Sequence, residues 1–432
     1  MALRSITGRA RWRNMSFRQR HRLPACKVRR HSSTSSRLAT SILPFWSPIP
    51  RKRPRTRWRR RSRRVDRMTA PFRAGPAGPP GLAPPDVTRL ADVTGLDQLG
   101  IPVWQAVRPL GRSLSCHMGK GLTVAAAIAS ALGEAREYAD CEAYRPDRHN
   151  DCWADLPADE RSAAPDDFAV RRGAIDAQTR LDWTRVATLA GPPLWVPSDA
   201  IAMDFTQGSH PGVAMGSTGQ ATADTLEQAL RRALLECVER DAVARYRWLG
   251  SGVRRARAIA PDSVPYDWFQ AFRQRADTLG FSLALDCLPA LGPLWAFQLT
   301  ITEAGRPGAA CRKTGGWGAG FTTAAAVRAA MLEAAQSRVG YIAGARDDLP
   351  LHAMPPAEPP GWLTQNPNRR YYASGTEPLD DAAAVQQLQA ALAAAGFARI
   401  GYVMTSAADA AHTTVKCFVP GLALGERTAV PR

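Results

Sequence analysis

The feature that most constrains this chain is a set of three predicted helices that carry carboxylates among alanine and leucine. Glu134 and Glu137 lie three positions apart on the first helix, Glu236 and Glu239 do so on the second, and Glu333 lies on the third. Residues at this spacing share one face of an α-helix, so the acidic groups point one way and the apolar residues point the other. A fold that contains these helices must bury the apolar faces and place the carboxylates either in solvent or at a shared site.

The local sequence favours the shared site over three solvated helix faces. Glutamate-rich surface helices usually alternate the sign of their charges to gain i, i+4 ion pairs, and these mostly do not. Clustered carboxylates repel one another unless a cation neutralises them, and Mg²⁺ prefers one or two carboxylates together with substrate phosphates. Arg240 lies beside the second glutamate pair and is a suitable partner for phosphate, while Ser130 shares the face of the first pair.

The basic residues are concentrated at the start of the chain. Residues 1–67 hold 22 Lys and Arg against one acidic residue, whereas residues 68–432 hold 35 basic and 37 acidic residues. The net charge of +19 therefore belongs to the first segment and does not describe the rest. Because this segment has no apolar period, we expect a disordered leader or an over-extended start, with a basic arm for nucleic acid or an anionic surface as the less favoured alternative.

The remaining sequence divides into a lead-in and one globular region. Residues 68–94 are rich in Pro and Gly and predict a flexible lead-in, and residues 95–425 are long enough for a large core. No apolar run approaches the length of a membrane span, and no secretory signal is evident. The eight cysteines form no CxxC pair, which favours reduced thiols in a cytoplasmic protein. We find no internal repeat.

Hydrophobic periodicity predicts an α+β fold in which helices and mainly antiparallel strands are intermixed. The sequence around Gly292 is typical of an antiparallel hairpin, and the polar stretches 143–168 and 346–376 predict loops. Helices are predicted over residues 123–140, 225–246, 265–279, 322–343 and 380–395. Strands are predicted over residues 281–288, 293–302, 398–405 and 413–419.

The sequence lacks the motifs of several common enzyme classes. It has no Walker A motif, no HExxH and no GxSxG. The glycine-rich stretch 315–320 precedes a predicted helix and can approach a phosphate through backbone amides, but a plain loop is the simpler prediction. Lys120, in a Gly-Lys-Gly sequence, can meet a phosphate or lie in solvent.

The motifs and their order resemble the YcaO family of ATP-dependent, peptide-modifying enzymes. The resemblance covers about residues 95–422, and the segment 94–111 resembles the branch that works beside TfuA proteins. It implies a YcaO-like fold, ATP and Mg²⁺ as cofactors, and a peptide or protein as substrate. Its markers are Gly119-Lys120-Gly121, Ser-x3-Glu-x2-Glu at 130–137, Glu-x2-Glu-Arg-Asp-Ala at 236–242, the segment 333–338 and Val419-Pro420-Gly421-Leu422.

The resemblance also implies roles for particular residues. Five glutamates would bind Mg²⁺, namely Glu134, Glu137, Glu236, Glu239 and Glu333. Four residues would contact ATP or its phosphates, namely Ser130, Arg240, Gln228 and Lys120. Two positions depart from the family pattern. Gln228 stands in place of an acidic residue, although the helical wheel puts it on the face of Glu239. Ala329 stands in place of an arginine, with Arg328 adjacent. These departures reduce the charge expected at the site.

Three functions are compatible with the resemblance. The favoured one is activation of a backbone amide by O-phosphorylation for thioamide formation, with sulfur delivered by a TfuA-like partner; the segment 94–111 and the lack of a Pro-x-Pro-x-Pro ending favour it. The second is an azoline-forming cyclodehydratase, and the third is a non-catalytic scaffold that binds nucleotide or a leader peptide. The expected partners are a precursor peptide or protein and a TfuA-like protein. A homodimer is left open, and neither membrane nor nucleic acid is expected.

Overall fold

The part of the chain that the structure describes begins in the predicted lead-in. The computed structural model describes residues 79, 81–161, 163–170, 173–303, 312–344, 367 and 369–423. The prediction for residues 1–67 lies outside this part, as does the first portion of the lead-in.

The five predicted helices are present, and their ends lie within a few residues of the predicted ones. A short additional helix, α3, follows the second of them. No described helix is both long and apolar enough to cross a membrane. The helices are α1 (Val124–Glu142), α2 (Leu226–Trp248), α3 (Ser251–Arg257), α4 (Asp267–Thr278), α5 (Thr323–Ala343) and α6 (Asp381–Ala394).

The described strands form three antiparallel sheets, which confirms the α+β class. The first sheet has the order β1-β2-β3, with β1 (Arg89–Asp92), β2 (Val103–Val107) and β3 (Cys116–Lys120). The second has the order β4-β5-β12-β13-β7, and β6 also pairs with β5; its strands are β4 (Arg148–Cys152), β5 (Arg180–Thr188), β6 (Leu194–Pro197), β7 (Gln220–Ala223), β12 (Gly401–Met404) and β13 (Thr413–Phe418). The third has the order β11-β10-β9-β8, with β8 (Ala258–Ile259), β9 (Phe281–Cys287), β10 (Trp295–Glu303) and β11 (Arg312–Gly320). The hairpin predicted around Gly292 is the β9–β10 pair.

The loop predicted over residues 315–320 is wrong, and the one predicted over residues 143–168 is wrong in part. The glycine-rich stretch 315–320 belongs to β11, which pairs along its whole length with β10. The stretch 143–168 contains β4, which pairs with β5. Glycine and polar residues are depleted in strands on average, but pairing with a neighbouring strand overrides this weak preference. Strands β1 to β3 and β5 to β8 were also not predicted; all of them except β5 have only two to five residues.

A strand–helix unit occurs three times, which is a repeat that the sequence analysis missed. The first unit is β3–α1, the second is β7–α2 and the third is β11–α5. Each helix begins after a threonine whose side chain accepts a hydrogen bond from the backbone N–H three residues on, the usual N-cap arrangement. These threonines are Thr123, Thr225 and Thr322. A glutamate follows each threonine by eleven positions, at Glu134, Glu236 and Glu333.

Glycines in the strands let the helices of the first and third units pack very closely. A Cβ atom on Gly119 of β3 would lie 2.0 Å from the backbone nitrogen of Ala131 in α1, and one on Gly316 of β11 would lie 2.0 Å from that of Ala334 in α5. No side chain fits in these places, so the sequence must supply glycine there. Alanines on the facing helices, among them Ala131 and Ala334, complete the contact.

Candidate functional site

The three strand–helix units surround one cavity of about 980 Å³. This volume is at the upper end of the range for small-molecule sites, about 300–1,000 Å³. Polar and charged side chains from all three units line it, together with Pro79 and Leu82 of the lead-in. Of the nine predicted site residues, seven line the cavity: Lys120, Ser130, Glu134, Glu137, Glu236, Arg240 and Glu333.

Two glutamates are fixed by the backbone of their own units. The N–H of Met118 in β3 donates to Oε2 of Glu134 over 2.8 Å, and the N–H of Gly219, just before β7, donates to Oε2 of Glu236 over 3.2 Å. Gly219 has a positive φ of 79°, which glycine adopts without strain. A backbone N–H group at or next to the strand therefore holds one oxygen of each carboxylate in place.

The residues fourteen positions after the N-cap threonines of α1 and α5 each connect their unit to another one. Oε1 of Glu137 in α1 accepts a hydrogen bond over 2.8 Å from the N–H of Thr222 in β7, in the second unit. Nε2 of Gln336 in α5 donates over 2.7 Å to the carbonyl of Met118 in β3, in the first unit. Helix α2 packs against β11 of the third unit, which completes a cyclic arrangement of the three units.

Two cations lie among the carboxylates: Arg240 on α2 of the second unit, and Lys120 where the first unit meets the third. Nη2 of Arg240 lies 3.6 Å from Oε1 of Glu236, and Nη1 lies 3.6 Å from Oε1 of Glu239. The guanidinium also lies 5.8 Å from the centre of the Trp317 ring. Nζ of Lys120 lies 3.8 Å from Oε2 of Glu333. These are loose ion pairs, and both cations retain donors for an anionic ligand.

Burial and mutual repulsion raise the pKa values of three of these carboxyl groups, Glu137, Glu236 and Glu239. Burial raises the pKa of Glu137 well above its ordinary value, with Glu236 and Glu134 adding to the rise. Burial also raises the pKa of Glu236, and burial together with Glu333 raises the pKa of Glu239 to about 8. Burial disfavours the charged form of Arg240, but Glu239 and Glu236 outweigh it and raise its pKa. A cation placed among these carboxylates would restore their charge.

The donor set fits Mg²⁺ bound together with phosphate and does not fit a metal held by protein alone. Within the described ranges, no group of three or more His, Cys, Asp or Glu side chains is arranged to hold a metal ion. Mg²⁺ commonly takes one or two carboxylates and completes its shell with water and substrate phosphates. Backbone N–H groups engage Oε2 of Glu134 and Oε2 of Glu236, so the chain orients both carboxylates, and phosphate and water would supply further ligands to such an ion.

Two predicted residues are not among those that line the cavity. Gln228 lies in the first turn of α2, where its N–H donates to the capping Thr225, and Glu239 lies behind the lining residues Glu236 and Arg240. The wheel puts Gln228 on the face of Glu239, but the two residues are eleven positions apart on α2, about 16 Å along the axis. The arginine adjacent to Ala329, Arg328, is exposed, so it does not substitute for the missing one.

The sequence analysis missed several residues that form the walls of the cavity. Gln336 was noted only as part of a motif, although it fixes β3 as described above. Thr222 and Gln220 of β7 form one wall, and Trp317 and Lys313 of β11 form another. The alignment of the three units on their capping threonines would have identified Gln336 as the counterpart of Glu137 and Glu239. The β7 and β11 residues carry no comparable signal, because their strands were not recognised.

A comparison with protein families gives a match over most of this fold. The model of a family described as YcaO cyclodehydratase, ATP- and Mg²⁺-binding, matches residues 118–423. An uncharacterized protein of Mycobacterium tuberculosis is 33% identical over 290 residues, which are 66% of this chain and 64% of that protein. An uncharacterized protein in the tfuA 3′ region of Rhizobium leguminosarum bv. trifolii is 32% identical over 295 residues, covering 66% of this chain and 69% of that protein. The chain spans somewhat less than two thirds of the mycobacterial relative.

A solved structure supports the same fold. The structure of YcaO from Methanopyrus kandleri bound with AMPPCP and Mg²⁺ superposes with a TM-score of 0.54 and 21% identity, covering 79% of this chain and 86% of that one. At this level of identity the similarity concerns the fold. It agrees with the mixture of helices and antiparallel sheets described above.

Proposed function

The chain belongs to the YcaO family, and on this premise we propose that it activates a backbone amide of a peptide or protein by O-phosphorylation with ATP and Mg²⁺. The observation that carries the proposal is the convergence of Glu134, Glu236 and Glu333, one from each unit, on a single cavity that also holds Arg240 and Lys120. The family to which the chain belongs is described as binding ATP and Mg²⁺. A site that mixes carboxylates with cations suits a metal–nucleotide complex better than either ion alone.

The residues of the cavity divide between metal and phosphate. One or two of Glu134, Glu236 and Glu333 would bind a Mg²⁺ ion that phosphate and water also coordinate, while Arg240 and Lys120 would neutralise the phosphates. The bound ion supplies charge stabilisation for phosphoryl transfer. The protein contributes a fixed geometry, because backbone N–H groups hold Glu134 and Glu236 before any ligand arrives.

The finer proposal is thioamide formation with a TfuA-type partner that delivers sulfide. HS⁻ adds to the amide carbonyl carbon, and the C=O electron pair moves to oxygen. That oxygen attacks the γ-phosphorus of ATP, and ADP leaves. The C–O bond then breaks with phosphate as the leaving group, the S–H proton passes to solvent, and C=S forms. The segment 94–111 and the relative in a tfuA 3′ region support this reaction.

Two alternatives remain as outcomes of the test. In a cyclodehydratase the nucleophile is a Cys, Ser or Thr of the substrate, and the family description favours this reaction. In a non-catalytic scaffold the cavity binds nucleotide without turning it over. Gln228 and Ala329, the two departures from the family pattern, favour the scaffold.

The first experiment measures nucleotide binding and turnover. We expect Glu134→Gln and Glu236→Gln to keep the fold and to lower peptide-dependent ADP release by a factor of about 10²–10³, the usual effect of removing one electrostatic group from a transition state, about 2.7–4 kcal/mol. The matched control is Glu227→Gln, which removes a charge from the exposed side of the same helix α2 and should retain the wild-type rate. Calorimetry with Mg–AMPPCP tests binding directly.

The second measurement identifies the product. With ATP, Mg²⁺, sulfide, a TfuA-type protein and a substrate peptide, thioamide formation raises the peptide mass by the difference between sulfur and oxygen. An azoline loses one water. Dehydration at a Cys in the absence of the TfuA-type protein would contradict thioamidation and identify the protein as a cyclodehydratase. Binding of Mg–AMPPCP without turnover of ATP would favour the scaffold.

A further inference from the structure

Arginines are concentrated on a surface formed by the end of α2 and by α3. Residues 245–257 contain five arginines and no acidic residue, and no acidic residue occurs between Asp241 and Asp262. Residues 68–432 as a whole carry 35 basic and 37 acidic residues, so without these five arginines the balance would be 30 to 37, a net charge of −7. We call residues 245–257 the arginine surface. Its charge is opposite in sign to that of the rest of residues 68–432.

The centre of the arginine surface is available to a partner. Arg254 and Arg255 are exposed, and neither guanidinium forms a hydrogen bond or an ion pair with a residue in the described ranges. Trp248, the last residue of α2, is 58% exposed, and Val253 in α3 is 52% exposed. An exposed tryptophan in the same segment as exposed arginines is typical of a binding surface, because both residue types are enriched where proteins bind other molecules.

The arginine surface has a rigid base. Nη1 of Arg257 donates over 3.2 Å to the carbonyl of Cys287 in β9, and Ala258 and Ile259 continue directly into β8. Nε of Arg245 donates over 2.6 Å to the buried carboxylate of Asp241. Its two ends are thus anchored, so binding would not require the segment to become ordered first.

The arginine surface adjoins the cavity along α2. Arg247 follows the cavity residue Arg240 by seven positions, so it lies about 20° around and about 10 Å further along the same helix face. Burial raises the pKa of Asp286, while Tyr246, Lys313 and Arg254 lower it. Lys313 lines the cavity and Arg254 belongs to the arginine surface. Both interact electrostatically with Asp286, so the cavity and the arginine surface are close to the same carboxylate. An extended peptide could follow this path, since each residue spans about 3.3 Å.

We propose that the arginine surface binds an acidic segment of the peptide substrate, with Trp248 as its apolar contact, while a distant part of the same peptide enters the cavity. The proposal rests on the proposed function for the identity of the substrate. Glutamate and aspartate side chains would pair with Arg254 and Arg255, which offer several N–H donors each. Such binding would supply affinity for the peptide at a distance from the reacting amide. The cavity could then accept different amino acids around that amide.

Crosslinking in the full-length chain tests this proposal, because residues 1–67 would also attract an anionic peptide in a simple binding assay. The probe is a 15-residue Glu-rich peptide with a central benzoyl-phenylalanine, and mass spectrometry locates the crosslinks. We expect crosslinks within residues 245–257, a decrease of at least about tenfold in Arg254→Glu/Arg255→Glu, and a smaller decrease in Trp248→Ala. The control Arg145→Glu/Arg399→Glu, with the same change of charge at exposed positions elsewhere, should keep them.

The outcomes separate this inference from the proposed function. Crosslinks confined to residues 1–67, or unchanged in the double variant, would overturn it. A single-stranded DNA oligonucleotide of equal charge that displaces the peptide from residues 245–257 at lower concentration would assign the surface to nucleic acid instead. Mg–AMPPCP binding, measured on the same wild-type protein, tests the cavity alone. Its absence would contradict the proposed function without affecting the crosslinking result.

Discussion

The first and third strand–helix units follow the same packing rule but carry different charges. In both, a strand glycine lies against the helix, a threonine caps the helix, and a glutamate follows eleven positions later. Fourteen positions after the threonine, the first unit has Glu137 and the third has Gln336. The glutamate accepts from a backbone N–H, whereas the glutamine donates to a backbone carbonyl.

This difference shows that the contact, and not the unit, determines which residue is suitable. A carboxylate has no donor when ionised, so it satisfies the N–H of Thr222 but would repel the carbonyl of Met118. The amide of Gln336 also keeps one negative charge out of a cavity in which burial already raises the pKa of Glu137. The two units therefore use the same strand–helix packing, whereas the polar residue at the fourteenth position of each unit depends on the backbone group that it contacts.

The largest effect is expected where the two units are alike. Gly316→Ala and Gly119→Ala each place a methyl group 2.0 Å from a helix backbone nitrogen, which forces strand and helix apart and should cost at least about 3 kcal/mol. Gly315→Ala is the matched control, because a Cβ there would meet its nearest atom at an ordinary 3.8 Å. Urea unfolding measures the three free energies. If Gly316→Ala unfolds at the same urea concentration as Gly315→Ala, the proposed close packing is wrong.

An intermediate effect is expected where the units differ. Gln336→Glu loses the hydrogen bond to Met118 and sets a carboxylate against its carbonyl, which should reduce the free energy of unfolding by about 1–3 kcal/mol. Glu137→Gln retains an oxygen that accepts from Thr222 and removes a buried acid, so it should be nearly neutral or stabilising. Thermal unfolding without nucleotide compares the two. Equal losses in both variants would show that the direction of the hydrogen bond is unimportant.

The smallest effect concerns the second unit, whose corresponding residue is Glu239. Burial and Glu333 raise its pKa from 4.5 to about 8, so the folded protein retains a proton that the unfolded chain releases above about pH 4.5. This contribution favours folding at low pH and is lost as the pH rises through about 8. Between about pH 6 and about pH 9, in EDTA, the Tm of the wild type should fall by about 2–4 °C more than that of Glu239→Gln. Parallel Tm curves for the two proteins would exclude this titration.

The sequence determined the helices and most of the candidate site, because helical periodicity is a local property. Glutamates at positions i and i+3 share a face in any α-helix, so Glu134 and Glu236 could be placed on their helix faces without a structure. The capping threonines and the antiparallel hairpin were equally local. The sequence did not reveal β11, since the glycines of 315–320 have a low strand preference by themselves and are explained only by the helix that packs on them.

Tertiary structure alone decided which groups these residues meet. Glu137 and its partner Thr222 are 85 residues apart, and Gln336 and its partner Met118 are 218 residues apart. No local pattern specifies such pairs, because they depend on how three sheets and their helices assemble around the cavity. The raised pKa values have the same origin, since burial and neighbouring charges exist only in the folded chain. The sequence thus supplied the chemical groups, and the fold determined their partners and their charge.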